Sequence, residues 1–196
     1  MDINRFTEKA QEALQSAQKR AVRVGHQQVD VEHVLAALLE DEQGLVPAIL
    51  HKADVNVEGL KRKTEAELER LPRVSGPSGG PDQFYLTGRL NRLLTQAEDE
   101  LKQFKGEYVS VEHLLLAMTE DGGASGRLLK EFGIRRDRLL KALHEIRGHQ
   151  RVTSPNPEAT YQALERFGRD LTQLATQGKL DPVIGRDEDV RCVRVR

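Results

Sequence analysis

The sequence is poor in the residues that build most cofactor and nucleic-acid sites. It has no Trp, one cysteine (Cys192), two Met, five Phe and three Tyr in 196 residues. A single thiol excludes an intrachain disulfide and any cysteine cage for zinc, and it fits a reducing compartment. With aromatics at 4%, there is no stock of rings on which bases could stack. Neither sign of charge dominates, since 30 Lys and Arg stand against 31 Asp and Glu. A dedicated nucleic-acid binder needs a clustered basic surface to neutralise phosphates, so nucleic acid is not an expected partner. No apolar run approaches the ~20 residues that cross a bilayer. The opening Met1-Asp2-Ile3-Asn4-Arg5-Phe6 lacks the hydrophobic core of a secretion signal. A cytoplasmic protein with no membrane partner is expected. Gly-x-x-x-x-Gly-Lys-(Ser/Thr) occurs nowhere, so no loop is present to cradle phosphates or position Mg²⁺.

What is present is a repeat. Val29-Asp30-Val31-Glu32-His33-Val34-Leu35-Ala36-Ala37-Leu38 aligns with Val109-Ser110-Val111-Glu112-His113-Leu114-Leu115-Leu116-Ala117-Met118. Phe6-Thr7 pairs with Leu86-Thr87, each opening a long amphipathic segment. Downstream, after a one-residue slip, Ile49-Leu50 pairs with Leu128-Leu129, Val55 with Ile134 and Leu60 with Leu139. Identity and hydrophobic phase agree along most of both halves, which marks a duplication.

Each half reads as four helices, and no stretch shows convincing strand alternation. The first helix spans about 7–24, with Ala10, Ala13, Leu14, Ala17 and Ala21 along one face and Thr7 placed as its cap. Asp30 caps a second helix, and Ser110 holds the equivalent place in the second half. A short helix over 46–52 tolerates Pro47 in its first turn, and a fourth covers 57–70. The second half predicts helices at 87–105, 111–120, 124–132 and 135–146. Four helices with so few large apolar residues cannot bury a core alone. The expected fold is all-α: two pseudo-repeats, about 1–71 and 84–147, packed about a pseudo-two-fold axis as one domain.

The joint at 72–83 contains Pro72, Pro77, Pro81, Gly76, Gly79 and Gly80, a density no helix supports. A second linker is expected at 148–157. Beyond it, Glu158 begins a predicted helix to about Gln177, followed by Leu180-Asp181-Pro182-Val183-Ile184-Gly185-Arg186-Asp187. Gly79-Gly80 and Gly122-Gly123 follow no strand, so they read as linker and helix junction rather than nucleotide loops.

The duplicated Val-x-Val-Glu-His-(Val/Leu)-Leu segments, each after a long amphipathic helix, resemble the N-terminal repeats of the Clp family of ATP-dependent unfoldases. Gly168-Arg169-Asp170-Leu171-Thr172 and the Asp181-to-Asp187 run are similar to the entry into that family's first AAA+ ATPase domain. Leu71-Pro72-Arg73-Val74 and Gly148-His149-Gln150-Arg151-Val152-Thr153 resemble the bacterial disaggregase branch more than the protease-partner branch.

The resemblance implies that 158–196 is the incomplete start of an ATPase domain, and that the chain is a truncated piece of a larger protein. It implies no cofactor for this chain, and ATP and Mg²⁺ for the intact parent. Val183 and Ile184 would lie against the adenine only in that parent. Partners so implied are unfolded or aggregated polypeptides and, through the parent, a DnaK-type chaperone system. The fragment is expected to be a monomer and the parent a hexamer. The alternative is an adaptor-docking domain of a protease-partner unfoldase.

Two sets of residues invite a functional assignment. Glu32-His33 and Glu112-His113 are adjacent, so on a helix their side chains diverge by about 100° and cannot share one metal. They read as first-turn residues, with each Glu favoured by the helix dipole and each His packed locally. His26 and His51 have no counterpart in the second half. The second set is implied by the resemblance, which places an apolar substrate groove at the seam between the halves. Its surroundings would be Thr7, Thr95, Ala97, Glu107 and Glu112, with Leu94, Tyr108 and Val109 as apolar wall. Thr95 and Ala97 make this groove less apolar than Leu would.

Overall fold

The computed structural model describes residues 3–73, 85–104, 106–147 and 152–157, all within one compact unit of residues 1–161. The described elements, after a single 3₁₀ turn at Ile3–Arg5, are α1 (Glu8–Val24), β1 (Gln28–Val29), α2 (Val31–Glu40), α3 (Leu45–Lys52), α4 (Val57–Glu69), β2 (Tyr85–Leu86), α5 (Gly88–Gln103), α6 (Val111–Met118), α7 (Ala124–Glu131) and α8 (Arg136–Arg147). The expected mostly helical architecture is present, and helix ends fall within about two residues of expectation, the margin by which helix ends fray. The predicted helix over 158–177 lies outside the described residues.

Local chemistry sets the helix ends. The Thr7 hydroxyl accepts from Ala10 N–H at 3.3 Å and the Thr87 hydroxyl from Leu90 N–H at 3.0 Å, so both long helices start on the same cap. Gly25, at φ 82°, closes α1 in the left-handed conformation that glycine adopts without penalty. The buried face of α1 is Ala10, Ala13, Ala17 and Ala21, whose small side chains let its backbone lie close to α2. α2 and α6 have apolar residues on every side, and both are buried throughout except for Glu40. A helix that is hydrophobic all round belongs in the centre, and the core forms around these two.

The halves pack reciprocally. α1 meets α6 while α5 meets α2, α3 meets α6 while α7 meets α2, and α4 meets α7 while α3 meets α8. Each contact thus has its mirror with the halves exchanged, as a pseudo-two-fold relation requires. The reciprocity reaches the backbone. β1 pairs in parallel with β2, placing Val29 opposite Leu86, and Phe6 bridges Val109 in the same sense. Thr87 N–H donates to Val29 O at 3.1 Å, and Thr7 N–H donates to Val109 O at 2.9 Å. The sequence reading had no strand here. Two-residue ladders are too short to show alternation, yet they satisfy the backbone groups just ahead of each helix.

Candidate functional site

The two Glu-His pairs are resolved by their partners. His33 Nδ1 accepts from Asp30 N–H at 3.0 Å, and His113 Nδ1 accepts from Ser110 N–H at 3.0 Å. Each His therefore closes a capping box from the third helical position, a place more often taken by Glu or Gln. The neighbouring Glu side chains leave in another direction. Glu32 pairs with Arg89 and accepts from Ser125 N–H at 3.2 Å, at the start of α7. Glu112 pairs with Arg147 at 2.8 Å, both side chains being buried, and the Arg147 guanidinium lies 5.3 Å from the Phe104 ring centroid. Arg89 also faces Asp30 at 3.2 Å and Asp121 at 3.6 Å. Burial alone would lower its pKa, but the three carboxylates outweigh that and raise it.

The first half adds a contact absent from the second. His26 Nδ1 lies 2.8 Å from His33 Nε2, both rings being buried. Since His33 Nδ1 is an acceptor, its proton is assigned to Nε2, which donates to His26 Nδ1; the His26 proton then resides on Nε2. Burial, reinforced by the neighbouring His26, lowers the His33 pKa to about 4. Burial and Arg73 lower that of His26, and burial lowers that of His113. All three imidazoles are thus held neutral.

The expected seam residues divide in two. Leu94 and Ala97 occupy the inner face of α5 with Leu90, Leu93 and Leu101, so they belong to the core rather than to an open wall. Val109 is sealed by its bridge to Phe6, Thr7 is buried as a cap, and Glu112 is buried against Arg147. Thr95 and Glu107 are exposed and Tyr108 is half-buried. Val183 and Ile184 lie outside the described residues.

Part of the expected linker at 148–157 lies across this place. Glu107 N–H donates to Val152 O and Glu8 N–H to Pro155 O, both at 2.8 Å, while Asn156 Nδ2 donates to a Glu8 carboxylate oxygen at 3.1 Å. The Val152 side chain is fully buried. Gly106 makes room for it: a Cβ on Gly106 would stand 3.5 Å from Val152 Cβ and 2.8 Å from Leu101 Cδ1. Residues 152–155 are therefore held through two carbonyls three residues apart, which accept from Glu107 and Glu8 N–H, and by one buried aliphatic anchor. The similarity of Arg151-Val152-Thr153 to Arg73-Val74-Ser75 was the sequence signal that this stretch belongs to the duplicated unit.

Comparison with known proteins decides the family. The model of the Clp repeat (R) N-terminal domain matches residues 5–132. The chain belongs to that family. It is similar to the chaperone protein ClpB of Nitratidesulfovibrio vulgaris Hildenborough, 49% identical over 195 residues, which cover 98% of this chain and 22% of the relative. ClpB of Bacillus cereus is 47% identical, with the same coverage of each. The chain thus spans about a fifth of the length of these relatives. Among solved structures, the Hsp104 N-terminal domain of Candida albicans superposes with a TM-score of 0.68 at 26% identity, covering 78% of this chain and 98% of that one. The N-terminal domain of ClpD from Arabidopsis thaliana shares the fold, with a TM-score of 0.54 at 22% identity over 72% of this chain and 94% of the other. Among the described residues, no helix is long and apolar enough to cross a membrane.

Proposed function

We propose that this chain is the substrate-engaging N-terminal domain of a ClpB-type disaggregase and binds extended, exposed segments of unfolded or aggregated polypeptide. One observation carries the reading beyond kinship. The fold holds an irregular segment, Val152–Pro157, chiefly through main-chain donors and one aliphatic anchor. Recognition through the backbone is nearly independent of sequence, which suits a binder of many unfolded chains. The affinity is weak, because one anchor and two hydrogen bonds leave little surplus after an unfolded segment is ordered. In the parent, the captured segment passes to a hexameric ring driven by ATP and Mg²⁺, with a DnaK-type system acting upstream. This chain supplies the grip and no bond-breaking step.

The test uses a fluorescently labelled, permanently unfolded polypeptide and anisotropy against the 196-residue protein. Micromolar or weaker binding is expected, further weakened by Tyr108→Glu with the circular dichroism unchanged. Binding that ignores Tyr108→Glu counts against this face, and binding confined to one folded adaptor counts against the function.

A further inference from the structure

Val152–Pro157 occupies, within the same molecule, a seat of the kind a foreign chain would need. Glu8 is the first residue of α1, so its N–H has no partner inside the helix and donates outward to Pro155 O at 2.8 Å. Glu107 N–H donates to Val152 O at 2.8 Å, two residues ahead of the bridge between Val109 and Phe6. The main chain of Val152 comes close at Gly106, where an added Cβ would stand 3.3 Å from the Val152 carbonyl oxygen. These contacts read backbone, and backbone is common to every polypeptide. The hold is also slight. Val152 and Pro157 are buried, but Thr153, Ser154, Pro155 and Asn156 are exposed. Val152 stands apart from the continuous hydrophobic core, so the core survives when the segment leaves.

We infer that Val152–Pro157 is a built-in competitor: it fills the capture seat at Glu8, Gly106 and Glu107, and an unfolded polypeptide binds there only by displacing it. The inference rests on the reading that this domain captures exposed polypeptide. The incoming segment supplies an aliphatic side chain to the space Val152 leaves, and two carbonyls three residues apart to Glu107 N–H and Glu8 N–H. An amide hydrogen serves one such carbonyl at full strength, so the two occupants exclude each other. The apparent affinity for a foreign chain is then the intrinsic affinity reduced by the fraction of molecules whose seat is empty. Weakening the docked segment strengthens capture, the opposite of what removing a binding residue does. Self-occupancy also sets a threshold. A lone weak segment loses to the tethered one, whereas an aggregate presents many segments at high effective concentration and wins.

The experiment titrates an unlabelled, permanently unfolded polypeptide into the isotope-labelled 196-residue protein and follows amide chemical shifts. At saturation the Glu8 and Glu107 amides should shift, and Thr153, Ser154 and Asn156 should move to the positions of an unstructured chain. Val152→Ala leaves both donors in place and should tighten binding about tenfold, the factor by which it speeds exchange at those two amides. In the Val152→Ala background, Glu8→Pro removes one donor at the first position of α1, where proline is tolerated. It should weaken binding about fivefold, the equivalent of one hydrogen bond, while Glu8→Gln keeps the N–H and leaves binding unchanged. A polypeptide that binds while Thr153 and Ser154 keep their docked shifts sits elsewhere; that overturns the competition and leaves the proposed function standing. Unchanged or weaker binding by Val152→Ala overturns it as well, as does equal binding by Glu8→Pro and Glu8→Gln. If the polypeptide binds neither the wild type nor Val152→Ala, the proposed function fails with it.

Discussion

Lowering the pH should destabilise the domain through one identifiable imidazole. His33 accepts the Asp30 N–H on Nδ1 and faces His26 through Nε2, so a second proton has no place without breaking the cap. Its folded pKa is about 4, against an ordinary 6.5. Above about pH 6.5 neither the folded nor the unfolded chain protonates it, and the stability is fully present. As the pH falls below that value the unfolded chain takes up a proton that the folded chain refuses, so stability is lost until about pH 4. The loss from His33 is about 2 kcal/mol at about pH 5 and on the order of 3 kcal/mol at completion. His33→Gln provides the control, because Gln at the third helical position still accepts the cap N–H and does not titrate. Urea denaturation of both proteins between about pH 8 and pH 4.5 measures the difference, which cancels the carboxylates and His113. The wild type should lose about 2 kcal/mol more than the variant by about pH 5. If the two stability curves run parallel across that range, the relay of protons assigned here is wrong.

Removing one partner of the buried Arg147–Glu112 pair leaves an uncompensated charge, so Arg147→Ala should cost about 3–5 kcal/mol in denaturant unfolding. A Cβ on Gly126 would collide with the Asp121 carbonyl oxygen. Gly126→Ala should therefore lower stability by about 1–3 kcal/mol or more, read as a drop in Tm, because the obstacle is backbone. Val152→Ala removes two buried methyl groups, about 1.6 kcal/mol at ~0.8 kcal/mol each. Hydrogen exchange at the Glu8 and Glu107 amides should accelerate about tenfold, while amides in α2 remain protected.

Much of the fold was legible because the hydrophobic phase of each helix repeats about eighty residues on, and Thr7, Thr87, Asp30 and Ser110 each stand just ahead of an apolar run. The alignment of Phe6 with Leu86 and of Val29 with Val109 already named the four ladder residues. It could not say that each pairs with the other half, since register between distant segments leaves no mark in a two-residue strand. The candidate site was less legible. Leu94 and Ala97 lie on α5 at the spacing of its core face, and family resemblance placed them at a groove that packing fills. Thr7 reads both as a cap and as a groove residue, and Glu112 both as a helix-dipole residue and as a groove residue; both side chains are buried. Arg89 and Arg147 were missed because a buried arginine is recognisable only by the carboxylate it meets, which lies 57 residues away for Arg89 and 35 for Arg147. The docking of Val152–Pro157 was hidden by its proline-rich composition, which reads as linker unless it is compared with 73–77.

The crossed ladders also bear on synthesis. Phe6 has its backbone partner in Val109, roughly a hundred residues further along the chain. At about 5–20 residues per second, that partner leaves the ribosome some 5–20 s after Phe6 does. Until then the nascent first half holds an unclosed edge and an unsealed face of α2. A nascent chain arrested between the two Val-x-Val-Glu-His segments would itself expose extended, apolar backbone of the kind we propose the finished domain binds.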